Sequence, residues 1–235
     1  MNVVVIVPAA GSGVRMQHAS KKPYIVLEGR TILAHTLNAL AQVESVTSIV
    51  IAVSPGDEEV CWQQVVSELK LRPSISIVAG GERRQDSVAN ALNVLPSTCD
   101  VVLIHDGARP FITPEILDDT VAAAFRCGAA TAAVPVKDTI MRLDRADKTI
   151  PEPLERDGLY AIQTPQAFRP DIILGAHAYA RRTSIQATDD ASLVRHMGLP
   201  VAITAGSYEN IKITTSGDLV YAAALLQVRG VDSSR

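Results

Sequence analysis

The sequence predicts an α/β fold with a doubly wound, mostly parallel sheet and a protruding β-hairpin arm. Short apolar runs alternate with segments of helical periodicity along most of the 235 residues, which indicates successive βαβ units. The apolar fraction is 47% and the aromatic fraction only 4%, and Ala, Val, Leu and Ile predominate, as in sheets covered by helices on both faces. Since no linker or repeat interrupts the chain, we expect one domain over residues 1–235.

The elements of the first half follow this alternation in order. Strands are predicted at Val3–Val7, Ser48–Val53, Ser74–Ala79, Val101–His105 and Thr131–Val136. Helices are predicted at Thr31–Val43, Asp57–Leu69, Gln85–Leu95 and Pro114–Cys127. Ligands of doubly wound sheets bind beyond the carboxyl ends of the strands. The loop at Gly11 and the corner at His105-Asp106 both lie at such ends, so we expect a binding site between them.

The alternation breaks after Val136. Residues 139–150 place short alternating segments on either side of a polar turn, which predicts a β-hairpin. Because an isolated hairpin is marginally stable, we interpret residues 138–159 as an arm that packs on another subunit. The alternative is a hairpin folded onto its own sheet. The remaining predicted elements are helices at Asp171–Arg181, Asp189–His196 and Gly217–Val228 and strands at Val201–Thr204 and Ile211–Thr214.

Composition excludes several classes of protein. The net charge of −3 supplies no field that would attract nucleic acid. Cys61, Cys99 and Cys127 form no Cys-x-x-Cys pair, which argues against a zinc site or a disulfide framework and favours reduced thiols in the cytoplasm. The chain starts with a strand that lacks a basic n-region, so we expect no signal peptide. No apolar run approaches the roughly 20 residues that span a membrane, so no membrane contact is expected.

A phosphate-binding loop is predicted after the first strand. The loop is Ala9-Ala10-Gly11-Ser12-Gly13, and glycine lets backbone N–H groups approach a ligand closely. Strings of such groups bind phosphate, and Arg15 and Lys22 add full positive charges nearby. These features suggest a site for a nucleoside triphosphate. For the loop alone, an ordinary strand-to-helix turn is an equal alternative.

Two better-known phosphate loops do not fit. The P-loop pattern Gly-x-x-x-x-Gly-Lys-Ser/Thr is absent. The dinucleotide fingerprint Gly-x-Gly-x-x-Gly opens a helix directly, whereas here Met16 replaces the third glycine and Pro23 precedes the helical periodicity that begins near Thr31. A Rossmann oxidoreductase is therefore disfavoured, and a titration with NADH would test it.

A metal site is predicted at the end of the strand that begins at Val101. Asp106 follows this strand, and Mg²⁺ prefers one or two carboxylates together with substrate phosphates. The alternative for Asp106 is a helix or turn cap. Arg109 is either a phosphate ligand or a partner of Asp106. We interpret His105 as a structural residue rather than a general base, because a phosphate acceptor is already ionised at pH 7.

Four other polar stretches are ambiguous from the residues alone. Gly80–Ser87 either reads the edge of a base or forms a turn and an exposed first helical turn. Residues 164–166 carry no decisive pattern, and Thr188 or Asp189 could simply cap a helix. Lys212 alternates with isoleucines in a predicted strand and points away from them, toward solvent or a pocket.

The motifs form an ordered set: Pro-Ala-Ala-Gly-Ser-Gly-Val-Arg-Met (8–16), Lys-Pro-Tyr (22–24), His-Asp-Gly-Ala-Arg-Pro (105–110), Pro-Val-Lys-Asp-Thr (135–139), Gln-Thr-Pro-Gln-Ala-Phe (163–168), Thr-Asp-Asp-Ala (188–191) and Asn-Ile-Lys-Ile-Thr-Thr (210–215). The set resembles the sugar-phosphate nucleotidyltransferases, and among them the 2-C-methyl-D-erythritol 4-phosphate cytidylyltransferase family of the non-mevalonate isoprenoid pathway. The resemblance runs from about Val3 to Leu225. It implies a Rossmann-like nucleotidyltransferase fold and transfer of a cytidylyl group from CTP to 2-C-methyl-D-erythritol 4-phosphate.

The resemblance also implies residue roles. The implied catalytic residues are Arg15, Lys22, Arg156 and Lys212. The implied CTP-binding residues are Ala9, Ala10, Gly11, Ser12, Gly13, Gly81, Glu82, Ser87, Asp106 and Ala108. The implied acceptor-binding residues are Arg109, Thr139, Arg156, Thr164, Thr188, Asp189 and Lys212. Asp106 is implied to lie at Mg²⁺ or another divalent cation, and the arm that precedes Arg156 is implied to reach into the partner subunit of a homodimer.

The chain departs from the family pattern at two positions. Lys21 precedes Lys22 where the family commonly has proline, so Lys21 is an alternative catalytic lysine, and Val14 replaces what is often a second basic residue. Three other functions stay open: the same reaction with ribitol 5-phosphate as acceptor, transfer from a nucleotide with another base, and a nucleotide-binding protein without catalysis. The joint presence of Arg15, Lys22, Asp106 and Lys212 argues against the last.

Overall fold

The computed structural model describes residues 1–11, 21–142 and 154–232. In chain order the strands are β1 (Val3–Pro8), β2 (Val26–Leu27), β3 (Arg30–Thr31), β4 (Val46–Val53), β5 (Ser74–Ala79), β6 (Val101–Ile104), β7 (Ala129–Pro135), β8 (Tyr160–Phe168) and β9 (Ala202–Ala205). The helices are α1 (Ile32–Leu40), α2 (Glu58–Cys61), α3 (Arg84–Leu92), α4 (Pro114–Cys127), α5 (Pro170–Thr183), α6 (Asp190–His196) and α7 (Ser216–Asp232). A π-helical turn at Trp62–Val66 extends α2, and a 3₁₀ turn covers Lys22–Tyr24.

The main sheet has the strand order β5-β4-β1-β6-β8-β7-β9, and β2 and β3 pair separately. β1 pairs in parallel with both β4 and β6, whereas β8 runs antiparallel to its two neighbours, β6 and β7. The predicted α/β fold with a mostly parallel, doubly wound sheet is therefore confirmed. The strand order reverses direction between β1 and β6, which makes the crevice beyond their carboxyl ends the switch point of the sheet.

The core consists of two layers on the two faces of this sheet. Along β1, Val3, Val5 and Val7 pack with α1 and α4, while Val4 and Ile6 pack with α3, α5 and α6 on the opposite face. These five side chains are at most 1% exposed, so β1 is buried on both faces, as its unbroken apolar run predicts. None of the helices in the described residues combines the length and apolar character needed to span a bilayer.

A third, smaller hydrophobic cluster connects the loop after β6 to α7. It joins the loop after β6, through Ala108 and Phe111, to Ile213 and to Ala222 of α7. The backbone N–H of Ile213 also donates to the carbonyl of Ala108 at 2.9 Å. This packing brings the segment that precedes α7 next to the loop after β6.

β8 is a strand that the sequence analysis missed. Its sequence, Tyr-Ala-Ile-Gln-Thr-Pro-Gln-Ala-Phe, lacks both an apolar run and strict alternation, and its proline lacks a donor for the ladder. Gln163, Thr164 and Gln166 are nevertheless buried, because their side chains bind neighbouring loops rather than a core. Gln166 Oε1, for example, accepts the backbone N–H groups of Asp190 and Ala191 at 3.0 Å each.

The predicted strand at Ile211–Thr214 is wrong. Backbone donors of this segment are used elsewhere: Ile213 binds the loop after β6, and the N–H of Thr214 donates to Asp218 Oδ2 at 2.7 Å. Asp218 also accepts from the N–H of Thr215 at 2.8 Å, so this carboxylate organises the start of α7. The segment is irregular because a loop and a cap, rather than a neighbouring strand, satisfy its donors.

The base of the predicted arm continues the β7–β8 pair. The N–H of Val136 donates to the carbonyl of Leu159, and the N–H of Leu154 donates to that of Ile140, each at 3.0 Å. Ile140 and Met141 are 37% and 45% exposed, so this part of the hairpin is not covered by its own sheet. Residues 143–153, which include the predicted turn, lie outside the described residues.

Candidate active site

A cleft of about 370 Å³ opens at the switch point between β1 and β6. Its walls come from four parts of the chain: the end of β1 with the loop that follows, the 3₁₀ turn, the start of α3, and the loop after β6 with the segment before α7. The lining residues are Pro8, Ala9, Ala10, Gly11, Lys22, Pro23, Gly81, Glu82, Arg83, Arg84, Ser87, Asp106, Gly107, Ala108 and Lys212. All of the implied CTP-binding residues within the described ranges therefore line one cleft.

The backbone after β1 is held against β4. The N–H of Ala9 donates to the carbonyl of Ala52 at 2.7 Å, and Ser54 Oγ donates to the carbonyl of Ala10 at 3.1 Å. A Cβ added at Gly11 would meet nothing within 4 Å, so the space beside Gly11 is open. Ser12, Gly13 and Arg15 of the predicted site lie outside the described residues.

The two glycines after β5 allow a close approach to this loop. A Cβ at Gly80 would lie 2.8 Å from the Ala10 side chain and from the Val53 carbonyl, so a larger residue does not fit. Ser87 is buried, and its hydroxyl accepts the N–H of Gly81 at 3.0 Å and donates to the carbonyl of Arg83 at 3.1 Å. The stretch that begins at Gly80 is thus a turn and a first helical turn, and it also lines the cleft.

Asp106 is the charged centre of the cleft floor. It is buried, and its carboxylate contacts Arg84 Nε at 3.0 Å and Lys212 Nζ at 2.9 Å, with Arg109 Nε at 3.5 Å. Burial alone would raise the pKa of Asp106, but the charges of Arg84, Lys212 and Arg109 hold it well below its usual range. Asp106 is therefore ionised at any physiological pH.

His105 and Thr164 support Asp106 from behind. The Thr164 hydroxyl accepts the N–H of Asp106 at 3.0 Å and lies 3.2 Å from His105 Nδ1, while His105 Nε2 lies 3.0 Å from the Arg109 carbonyl. Burial lowers the pKa of His105 to about 4, so the ring is neutral at pH 7. The structural interpretation of His105 holds. Thr164, which was expected to contact the acceptor, is 4% exposed and lies beneath the cleft instead.

Arg109 and Asp189 also have structural partners. Arg109 Nη1 donates to the Asn210 carbonyl at 2.7 Å, so Arg109 is a partner of Asp106 below the cleft rather than one of its lining residues. Asp189 caps α6: its carboxylate accepts the N–H of Ser192 at 2.9 Å. Thr188 beside it is exposed. Neither Thr188 nor Asp189 lines the cleft of its own chain. This differs from the expectation that both residues contact the acceptor.

Arg84 is a site residue that the sequence analysis missed. At the start of α3 it bridges Asp106, through Nε at 3.0 Å, and Asp190, through Nη1 at 2.6 Å. Asp190 also lies 3.0 Å from His177 Nε2, so a buried polar chain runs from the cleft into the layer of α5 and α6. Among the described residues, Arg84 Nη2 is buried without a hydrogen-bond partner. Two successive arginines occur here in the sequence, and nothing in the pattern distinguishes the half-buried Arg84 from the exposed Arg83.

The two lysines after the glycine loop point to different places. Lys22 lines the cleft, whereas Lys21 Nζ lies 2.7 and 2.6 Å from the two carboxylate oxygens of Asp57, outside it. Lys22 is therefore the lysine placed at the cleft. Lys212, for which solvent or a pocket was predicted, faces the cleft and is held there by Asp106.

Thr139 and Arg156 lie apart from the cleft, at the base of the hairpin. Both are exposed, and Arg156 Nη1 donates to the Lys137 carbonyl at 2.9 Å. Neither lines the cleft of the same chain. The predicted acceptor residues are thus divided between the cleft, its support and the hairpin base.

Within the described ranges no cluster of three or more His, Cys, Asp or Glu side chains could hold a metal ion alone. Asp106 is the buried carboxylate at the cleft floor, and one such carboxylate suits a divalent cation whose other ligands are substrate phosphates and water. A cation of this kind would share Asp106 with Arg84 and Lys212.

A backbone loop, two lysines and a buried aspartate around one cleft at the switch point of a doubly wound sheet suit a nucleotidyltransferase. The family model for 2-C-methyl-D-erythritol 4-phosphate cytidylyltransferase matches residues 3–228, and the chain belongs to this family. The enzyme class predicted from the motifs is thereby confirmed.

Individual relatives agree with this assignment. The chain is 45% identical to the 2-C-methyl-D-erythritol 4-phosphate cytidylyltransferase of Desulforamulus reducens, over 97% of both chains. It is 47% identical to that of Pelotomaculum thermopropionicum, over 97% of this chain and 95% of the relative. Among solved structures, the Thermus thermophilus enzyme of the same name superposes with a TM-score of 0.80 at 35% identity, covering 97% of this chain and all of the other. The 4-diphosphocytidyl-2C-methyl-D-erythritol synthase of Anaerococcus prevotii gives a TM-score of 0.84 at 32% identity, with 96% of each chain covered.

Proposed function

We propose that this enzyme transfers the cytidylyl group of CTP to 2-C-methyl-D-erythritol 4-phosphate, forming 4-diphosphocytidyl-2-C-methyl-D-erythritol and pyrophosphate. The observation that carries the proposal is the meeting of Gly11, Lys22, Asp106 and Lys212 around one cleft. Family membership gives the reaction class, and this cleft supplies the groups that the reaction requires.

CTP binds at the end of the cleft formed by the loop after β1 and the start of α3. Backbone N–H groups near Ala10 and Gly11 and the ammonium of Lys22 suit the triphosphate. Gly81 and Glu82 line the same wall and are suited to contact the cytosine, while Ser87 shapes their loop through its bond to Gly81.

The chemical step is an in-line attack by an oxygen of the acceptor phosphate on the α-phosphorus of CTP, with pyrophosphate leaving. The attacking phosphate is ionised at neutral pH, so no general base is needed, and the neutral, buried His105 has no proton-transfer role. Catalysis then consists of positioning and of stabilising the charge that develops. Lys22 stabilises the transferring phosphate, and Lys212 holds the acceptor phosphate near it. Arg15 is assigned to the same task by the resemblance alone.

A divalent cation, Mg²⁺ or a similar ion, would be held by Asp106 and would neutralise charge on the CTP phosphates. Asp106 is suited to this role because three cations keep it ionised and the N–H bond to Thr164 fixes its backbone.

The acceptor site is completed in a homodimer. Thr139 and Arg156 lie on the exposed hairpin base, where Ile140 and Met141 are also exposed. An exposed apolar hairpin beside a substrate-binding arginine is suited to pack on a second copy and to place that arginine at the partner's cleft. Lys212 and the partner's hairpin would then hold the acceptor together.

The test is pyrophosphate release with Mg²⁺, supplying each of the four NTPs against 2-C-methyl-D-erythritol 4-phosphate and ribitol 5-phosphate. Release with CTP and methylerythritol phosphate alone is expected. Release with ribitol phosphate instead would retain the triphosphate site and overturn the acceptor. Binding of CTP without release for any pair would leave a nucleotide-binding protein and refute the proposed reaction.

A further inference from the structure

One turn contacts both ends of the glycine-loop segment. The turn is Ser54–Asp57, directly after β4. On one side, Ser54 Oγ donates to the carbonyl of Ala10 at 3.1 Å. On the other, both carboxylate oxygens of Asp57 accept from Lys21 Nζ, at 2.7 and 2.6 Å. The chain is therefore tied to the same turn where it leaves β1 and where it returns to the described structure.

This turn is a stiff anchor. Its sequence is Ser-Pro-Gly-Asp, the Asp57 N–H donates to the Ser54 carbonyl at 2.9 Å, and Gly56 has φ +87°. Proline in the second position presets its own φ, and glycine in the third takes the positive φ of a type II turn without steric cost. Asp57 precedes α2 but makes no side-chain capping bond, so its carboxylate serves Lys21 instead of the helix.

The position of Lys21 determines where the backbone of Lys22 lies. The Lys21 carbonyl accepts the N–H of Tyr24 at 2.9 Å, which closes the 3₁₀ turn whose first residue is Lys22. Pro23, the next residue, is buried and fixes the turn against the protein. With Lys21 drawn to the outer wall at Asp57, the following residue lines the cleft.

We propose that Lys21 and Asp57 are positioning residues for cytidylyl transfer, because their ion pair sets the backbone that carries Lys22 into the cleft. This inference rests on the proposed function, in which Lys22 stabilises the transferring phosphate. Lys21 is 49% exposed and Asp57 16% exposed, and exposed ion pairs contribute little to stability. The effect of the pair is therefore expected in turnover and not in thermal stability.

The experiment combines Asp57→Asn with Lys22→Ala. We expect Asp57→Asn to lower kcat about tenfold, since small displacements of a catalytic group are costly, with KM for the acceptor and the melting temperature unchanged. In the Lys22→Ala background the same change should have no further effect on kcat, because the group it positions is gone. The matched control is Asp171→Asn, which breaks the exposed Arg169–Asp171 pair away from the cleft.

A second pair of variants keeps the test independent of Asp57. Lys21→Ala should reproduce the loss of kcat, and Lys21→Arg, which can still bind both carboxylate oxygens, should restore most of it. Asp57→Asn behaving like Asp171→Asn would overturn the inference, as would a further loss of kcat when it is added to Lys22→Ala. A larger loss for Lys21→Ala than for Lys22→Ala would make Lys21 the catalytic lysine. A wild-type enzyme that releases no pyrophosphate would instead refute the proposed function.

Discussion

The cleft floor and the hairpin base differ in how firmly their side chains are held. Asp106 is buried among three cations, and its backbone is bound by Thr164. Arg156, by contrast, is exposed, and its guanidinium donates to the backbone carbonyl of Lys137. Preorganised groups suit the triphosphate, whose charge changes during the reaction. The side chains of the hairpin base are exposed and loosely held, as expected for a surface that a second copy of the chain covers in the proposed dimer.

The largest expected effect lies on the preorganised side. Lys22→Ala should lower kcat by about two to three orders of magnitude, the scale of losing one donor aimed at developing charge. Steady-state pyrophosphate release measures it, with Lys70→Ala as the matched change of an exposed lysine outside the cleft. An unchanged kcat would show that the cleft does not stabilise the reaction through Lys22.

A substitution at the hairpin base should change KM for the acceptor rather than kcat. Arg156→Ala is expected to raise KM for 2-C-methyl-D-erythritol 4-phosphate by about tenfold or more, the scale of losing a charge-assisted hydrogen bond, and to leave KM for CTP unchanged. Initial rates at fixed saturating concentrations of the other substrate separate the two constants. A loss of CTP binding would mean that Arg156 does not serve the acceptor.

Mixing two impaired variants sharpens the comparison further, provided that the acceptor concentration is kept well below its KM, where Arg156→Ala also has low activity. If each cleft uses Lys22 of its own chain and Arg156 of its partner, a mixed dimer of Lys22→Ala and Arg156→Ala contains one intact site. After subunit exchange, about a quarter of wild-type activity should return, because half the dimers are mixed and each has one active site of two. No recovery, with exchange verified by mass, would assign both residues to one chain or exclude the dimer.

A separate effect, on stability rather than on turnover, is a pH dependence from beneath the cleft. The folded pKa of His105 is lowered to about 4, below its unfolded value near 6.5, so the unfolded state binds the extra proton first as the pH falls. This group should therefore cost about 1.4 kcal/mol of unfolding free energy per pH unit between roughly pH 6.5 and pH 4. Urea unfolding at several pH values, compared with His105→Asn, measures it. An equal slope in both proteins would contradict the buried, neutral ring.

The sequence predicted those parts that depend on periodicity and on local chemistry. The apolar run of β1 and the amphipathic α4 were found with nearly correct ends because burial on one or two faces leaves a pattern in a single stretch. β8 and Arg84 were missed because their roles depend on distant partners: Gln166 binds the start of α6, and Arg84 reaches Asp190. Ile211–Thr214 looked like a strand because alternation does not reveal whether a neighbouring edge is present.

The polar strand β8 limits how this enzyme could be redesigned. Replacing Gln163, Thr164 and Gln166 by valine would improve β-propensity and apolar content, which are the usual criteria for an interior strand. It would also remove the acceptors of four backbone N–H groups, those of Asp106, Asp190, Ala191 and Ser207. Such a sequence would have a higher β-propensity in β8 but would no longer hold the loops beside it in place. A design procedure that scores each strand alone would therefore discard the residues that join the sheet to the cleft.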